Sequence, residues 1–381
     1  MPKVYYVANA RMPGEKAHGI QIAKMCEAFT VLGVDLVLVV PRRHTHTGTL
    51  KEFYGLTHEV PVLRVPVPDL YRTGRFGFAL SSLVFMVLTE LYLWSKKVCG
   101  ERFVVYTIDM DNFSYALLPL AGATVTEMHT PKSPSWVQRF FFSRVRGVIA
   151  TNGLIRQRFI DGYHLSESRV VVECNGVDLD AFSASMSRAD ARAALSLPQD
   201  AQIVLYVGRF YQWKGLDILL PACGLVPASV RWYIVGGTKE EFLKVTGVSE
   251  VPDNLVFVGE RSAGEIPQWV RAADVLLQLG TNTNEDSSRY TSPMKLFEYM
   301  ASGTPIVASA TPAIVDVLSQ DEAYLFEPDD AQSLARTISI ALTAPDTTNR
   351  AARACVKVQE LTWQKRAERI LAFITRTDTL K

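Results

Sequence analysis

Three groups of residues in this 381-residue chain have the types and spacing to do chemistry. In "LYVGRFYQWKGLDILL" a strand-like run ends at Gly208, Arg209 follows, and Lys214 stands just before Gly215 and an apolar helical segment. Two cations then converge at a strand's carboxyl end. Arg grips phosphate oxygens bidentately and Lys adds a compact charge, which suits a diphosphate whose charge grows as it leaves. The alternative is a pair of solvated surface cations near a turn. In "RYTSPMKLFEYMASGTPIV" the acid Glu298 sits within a short apolar helix, with Ser292 expected as N-cap and Pro293 as first helical residue. At 100° per residue, Met294, Phe297 and Ala301 share one face, and Glu298 lies at its border with the polar side of Lys295 and Tyr299. In "VTEMHTP", Glu127 and His129 fall at another strand end, where the histidine is either a ligand-facing hydrogen-bond donor or one satisfied by structural contacts.

These groups need a scaffold, and alternation supplies it. Strand-like runs at 3–8, 34–40, 62–65, 103–107, 123–127, 147–150 and 170–173 are separated by helix-length segments. After a polar, alanine-rich stretch near 183–200 the pattern restarts at 203–207, 232–235, 255–258, 275–279, 306–309 and 324–326. Two α/β units in series result, with parallel sheets covered by helices and ligands beyond the carboxyl ends of strands. Such halves could make a dehydrogenase, but "ANARMPGEKAHGIQIAKM" lacks G-x-G-x-x-G, and the second strand ends in "VVPRRH" with no acid for a ribose. What remains there is Gly19, read as entering a helix over 20–32 whose unpaired N–H groups could hold an anion, or as an ordinary loop glycine.

Composition narrows the classes. Forty basic and thirty-nine acidic side chains give a net charge of +1 and form no basic run, which argues against nucleic acid as a partner. Five scattered cysteines form neither a C-x-x-C pair nor a metal-finger spacing and read as reduced thiols of a cytosolic protein; no leader precedes "KVYYVANA". The run Phe76 to Trp94, "FGFALSSLVFMVLTELYLW", approaches the length of a membrane span. Glu90 and several hydroxyls interrupt it, so a buried or half-buried helix is expected, with interfacial docking through Arg72, Arg75, Lys96 and Lys97 as the alternative.

The motifs "HGIQIAKMCEAF", "TEMHTP", "NGVD", "VGRFYQWKG", "FVGE", "AADVLLQLG" and "SPMKLFEYMASGTPIVAS" occur in the order seen in retaining glycosyltransferases of family 4, the group 1 glycosyltransferases, and the chain resembles them along its whole length. The resemblance implies a GT-B fold, two Rossmann-like doubly wound domains facing each other across a cleft. It implies an acceptor-binding domain over 1–180, a nucleotide-sugar domain over 181–362, and a final helix over 363–381 that packs back on the first domain. Glu298 matches the family acid that accepts hydrogen bonds from the nucleotide's ribose. The backbone N–H groups of Met294, Lys295 and Leu296 would face the diphosphate. His129 would lie near the reaction centre, Arg209 and Lys214 would stabilise the leaving group, and Gly19 and Gly208 would line the donor.

The resemblance also exposes a departure. The family often carries E-x7-E, whereas Tyr290 stands at the first acid's position with Glu285 and Asp286 a little upstream. Either Tyr290 contacts the sugar, or an upstream acid reaches round through a "GTNTNEDSS" loop that otherwise reads as a mobile surface turn. The activity implied is hexosyl transfer from a nucleoside-diphosphate sugar to a glycan, polysaccharide or lipid-linked hydroxyl with retention. No cofactor and no metal are called for, since no D-x-D lies at a plausible phosphate site, and "DMD" at Asp109 to Asp111 falls in the wrong domain. The expected location is cytoplasmic, with peripheral contact at the inner membrane face as an option. A GT-B nucleotide-sugar epimerase and a non-catalytic binding subunit are the alternatives.

Overall fold

A computed structural model describes residues 2–379 apart from 15, 44–47, 71–72, 110–112 and 183–185. The chain divides into one unit of Met1–Asn175 with Trp363–Lys381 and a second of Gly176–Thr362. The first holds seven strands: β1 (Lys3–Val7), β2 (Leu36–Arg42), β3 (Val62–Pro66), β4 (Phe103–Ile108), β5 (Ala123–Met128), β6 (Gly147–Ala150) and β7 (Val170–Val172). All pair in parallel, in the order β3-β2-β1-β4-β5-β6-β7. The second unit holds β8 (Gln202–Val207), β9 (Val230–Val235), β10 (Leu255–Gly259), β11 (Val275–Gln278), β12 (Ile306–Ser309) and β13 (Tyr324–Phe326). Their order is β10-β9-β8-β11-β12-β13, again parallel.

The near-continuous apolar runs explain this choice, because strands of a parallel sheet are covered on both faces. Val204, Val275, Leu276, Leu277 and Val307 are all fully buried. The strand expected to begin at Trp232 starts two residues earlier, because Val230 pairs with Gln202 although the exposed Arg231 interrupts the apolar pattern. Strand order reverses between β1 and β4 and between β8 and β11, and ligands of such sheets bind outside the carboxyl ends at that point.

Four helices carry or position the chemistry-bearing residues: α1 (Ala17–Val31), α2 (Gly74–Val98), α3 (Met294–Ser302) and α4 (Trp363–Thr379). Helix α4 returns to the first unit and packs against α1. One buried ion pair fixes it there. Arg366 and Glu127 are both fully buried, and Arg366 Nη2 donates to Glu127 Oε1 at 2.7 Å. Arg366 Nε donates to the Cys174 carbonyl at 2.7 Å, and Arg369 Nε reaches the Glu173 carboxylate at 2.9 Å. Burial alone would raise the Glu127 carboxyl, but the Arg366 charge and the His129 hydrogen bond override it and hold it at about 2.

Removing one member of a buried pair strands the other charge. Arg366→Met is expected to lower stability by about 3–5 kcal/mol in urea unfolding, and adding Glu127→Gln should recover part of the loss. Because Glu127 is depressed in the folded protein, its contribution is complete above about pH 4.5 and is lost as pH falls toward 2. The Glu127→Gln variant should lack that acid limb; an unchanged acid limb would refute the assignment.

Candidate functional site

In the second unit, the β8 end and α3 are joined by a contact that the sequence does not reveal. Tyr299, expected on the polar side of its helix, is fully buried, and its hydroxyl accepts the Val207 N–H at 3.0 Å. Helical periodicity gives a phenol on that border no inside or outside; the hydrogen bond to the strand decides. This anchors the helix that carries Glu298 beside β8, which ends just before Gly208.

The loop after β8 brings its cation to the same place. A Cβ at Gly208 would lie 3.2 Å from Lys214 Nζ and 2.9 Å from the Tyr206 hydroxyl, so the glycine leaves room for the lysine to fold back over the strand end. The Lys214 amine lies over the rings of Tyr211 and Trp213 at 5.4 and 5.6 Å. Burial, followed by the neighbouring Lys295 charge, pushes its pKa down to about 8. Among the described residues no carboxylate pairs with it. Arg209, by contrast, is half-exposed and lies 3.4 Å from Glu260 Oε1.

Lys295 Nζ lies 2.6 Å from Glu298 Oε2, so the charge that bears on Lys214 is itself paired with the α3 acid. The helix boundary differs from expectation. Pro293, not Ser292, is the N-cap, Met294 is the first helical residue, and the Leu296 N–H donates to the Pro293 carbonyl at 2.9 Å. Of the three backbone donors expected to face a phosphate, Leu296 is thus engaged by its own chain, because the first turn closes tightly after the proline.

The segment after β11 is no mobile surface turn. Asp286–Tyr290 forms a single π-helical turn, a form often found at functional sites. Ser287, Ser288 and Tyr290 are buried, Thr281 N–H donates to Ser287 Oγ at 3.1 Å, and Ser288 Oγ donates to Asn282 Oδ1 at 3.0 Å. Its hydroxyl-rich composition satisfies a buried turn as readily as it suits solvent. Of the three candidates for the missing acid's place, Tyr290 and Glu285 prove to be one pair: the Tyr290 hydroxyl donates to Glu285 Oε1 at 2.7 Å, with the ring buried and the carboxylate exposed, as Asp286 also is.

In the first unit, Glu127 Oε1 also accepts from Gln21 Nε2 at 2.8 Å and bonds His129 Nε2 at 2.7 Å, while the Tyr106 hydroxyl donates to Oε2. His129 is held at both ends, since its backbone N–H donates to Asp109 Oδ1 at 2.8 Å. Burial disfavours the imidazolium, yet the Asp109 and Glu127 charges outweigh it and raise the His129 pKa. His18 lies opposite, with Nδ1 3.8 Å from Asp109 Oδ2 and its ring 6.5 Å from that of His129. Burial, partly opposed by Asp109, lowers its pKa.

Asp109 takes a left-handed backbone at φ 44, costly for a residue with a Cβ. In the sequence it reads as half of a false D-x-D, the rest of which lies outside the described residues. His18 belongs to the "HGIQIAKMCEAF" motif, but nothing in its neighbours along the chain marks it out. Gly19 is not a helix-opening anion donor: α1 begins two residues earlier, and the Gly19 N–H donates to the Lys16 carbonyl at 2.8 Å. Its lack of a side chain serves packing, since a Cβ would lie 2.5 Å from the Tyr54 hydroxyl, which itself bridges the N–H and carbonyl of Gly14.

Comparison with known proteins agrees with this architecture. Residues 201–344 match the family described as glycosyl transferases group 1. The chain is 31% identical over 261 residues to a D-inositol 3-phosphate glycosyltransferase of Mycolicibacterium gilvum (strain PYR-GCK), covering 65% of this chain and 56% of that protein. It thus spans about half the length of the curated relatives it matches. Sucrose-phosphate synthase from Thermosynechococcus elongatus superposes with a TM-score of 0.76 at 19% identity, covering 100% of each chain. Anabaena Alr3699/HepE, solved in complex with UDP-glucose, superposes with a TM-score of 0.70 at 18% identity, covering 98% of this chain and 99% of that one. Residues 201–344 are thus similar to the group 1 glycosyl transferases, and both units of the chain have the Rossmann-like α/β architecture of GT-B glycosyltransferases.

Proposed function

We propose that the second unit binds a nucleoside-diphosphate sugar at the carboxyl ends of β8 and β11, and that the protein transfers the sugar to a hydroxyl acceptor with retention at the anomeric carbon. The observation that carries this reading is Lys214: a largely buried amine with no carboxylate partner among the described residues, beside a second lysine, at the switch point of a doubly wound sheet. A dianionic diphosphate supplies the missing countercharge. Arg209 can join it cheaply, because its exposed pairing with Glu260 is worth little. Glu298, already beside Lys295, accepts the ribose hydroxyls, and the N–H groups of Met294 and Lys295 face the phosphates.

The bond from the anomeric carbon to the phosphate oxygen breaks as the acceptor oxygen attacks from the same face, and the acceptor's proton passes to the departing phosphate oxygen. Arg209, Lys214 and the α3 N-terminus stabilise the charge that builds there, so that no metal or other cofactor is needed. His129, presented at a strand end with a raised pKa, is assigned as a hydrogen-bond donor to the transferred sugar. Glu285, exposed and oriented by Tyr290, stands in for the first acid of E-x7-E and receives a sugar hydroxyl. The acceptor is a glycan, polysaccharide or lipid-linked hydroxyl, and the work is done in the cytoplasm, a setting that the five free cysteines suit. UDP-glucose is the first donor to try, since a structural neighbour binds it. An epimerase would convert that donor without acceptor, so turnover that requires an acceptor decides between the readings.

Two predictions test the site. The Lys214 amine is protonated below about pH 8, so UDP should bind less tightly as pH rises through that value. Lys214→Met should weaken UDP binding about tenfold or more at pH 7 in calorimetry and remove the pH dependence. Its melting temperature should rise, because a depressed lysine penalises the fold below about pH 8 and the penalty fades toward 10.5. Equal wild-type affinity at neutral and strongly alkaline pH would refute the assignment.

The second separates the donor's halves. Glu298→Gln should weaken UDP and UDP-glucose alike, by about tenfold, since both contain the ribose. Glu285→Gln should keep UDP affinity and lower transfer or relax donor choice, and Tyr290→Phe should do the same more mildly. Wild-type transfer and donor choice in Glu285→Gln would remove the sugar role from this pair.

A further inference from the structure

Helix α2 leaves one face without cover. Phe76, Leu80, Leu83, Val87, Leu91 and Trp94 are 38–80% exposed, and they recur at intervals of three or four residues. At 100° per residue they fall within an arc of about 80°, and Val98 continues it, giving a ridge about 33 Å long. The opposite face is fixed in the core of the first unit through Phe85 and Leu93, both fully buried. The helix is long and apolar enough to cross a membrane, but only one side of it is offered.

The charges identify what the ridge fits. The only acid in α2, Glu90, is buried and accepts from Trp94 Nε1 at 3.0 Å, so the exposed face carries no negative charge. Cations stand at both ends: exposed Arg75 at the start, Lys96 and exposed Lys97 at the finish. Lys97 Nζ lies 4.4 Å over the Trp94 ring and donates to the Leu120 carbonyl, and Leu120 is itself 43% exposed. Trp beside Lys at the end of an apolar ridge is the composition of a membrane interface, where the ring sits at headgroup depth and the amine meets phosphate. A ridge one helix wide falls short of the roughly 800 Å² per partner that a stable protein dimer buries.

We propose that α2 docks lengthwise on an anionic lipid surface, its apolar face sunk to the headgroup boundary and Arg75, Lys96 and Lys97 paired with lipid phosphates. This binding does not rest on the transfer reading, because it requires neither donor nor turnover. It would hold the first unit against a surface on which lipid-linked acceptors reside.

Co-sedimentation of the full chain with vesicles tests it. The protein should partition onto vesicles of equal parts phosphatidylcholine and phosphatidylglycerol, far less onto phosphatidylcholine alone, and less as salt rises. Phe76→Ser/Leu91→Ser and, separately, Lys96→Gln/Lys97→Gln should each reduce partitioning at least about tenfold while thermal unfolding stays as in the wild type. No wild-type binding to anionic vesicles, or equal binding to neutral ones, overturns the proposal, and neither outcome depends on a variant folding. A concentration-dependent dimer abolished by Phe76→Ser/Leu91→Ser, without vesicle binding, assigns the face to a second copy and overturns it too.

Discussion

A carboxylate with no access to water organises the first unit. Glu127 is fully buried and stays ionised only because its oxygens receive Arg366, Gln21, His129 and Tyr106. Those four partners come from α4, α1, the end of β5 and β4, so one charge draws together the last helix, the first helix and two central strands. An isolated buried carboxylate would cost far more than such a unit's net stability, which makes the arrangement all or nothing. The same charge also sets the chemistry of His129. Burial alone lowers a histidine's pKa; beside Asp109 and Glu127 that of His129 is raised instead.

The second unit is built on the opposite imbalance. Lys214 is held where its own charge is unwelcome, by burial and by Lys295, and no acid in the described structure relieves it. The fold sustains this through contacts that do not involve the charge: the glycine at 208 that lets the amine lie over the strand end, and the Tyr299 hydroxyl that ties α3 to Val207. A group kept in an unfavourable state by a rigid surround is poised for a ligand of opposite charge. One unit therefore buries a matched ion pair, and the other keeps a cation that no described carboxylate matches.

The π-helical turn before α3 adds a further distinction between composition and placement. The asparagines and threonines that lead into it and its own serines resemble a solvent loop, yet they bond to one another beside the buried Tyr290, and the Glu285 carboxylate is exposed. What looks in the sequence like a choice between a tyrosine and an upstream acid is a single hydrogen-bonded pair.

Read alone, the sequence contains the two α/β units, all thirteen strands and the parallel sheets they build, because short apolar runs separated by helix-length stretches admit few other arrangements. It also singles out Arg209, Lys214 and His129, since charge at a strand's carboxyl end is visible in one dimension, and Glu298, an acid within a short apolar helix. It could not show that Arg366 neutralises Glu127 across 239 positions, that Tyr299 turns inward to a strand, that Asp109 bends back on His129, or that Gly19 is glycine for the sake of Tyr54. Those are decided by which side chains meet when sheets and helices pack, and burial, not residue type, then determines whether a charge is matched or left waiting.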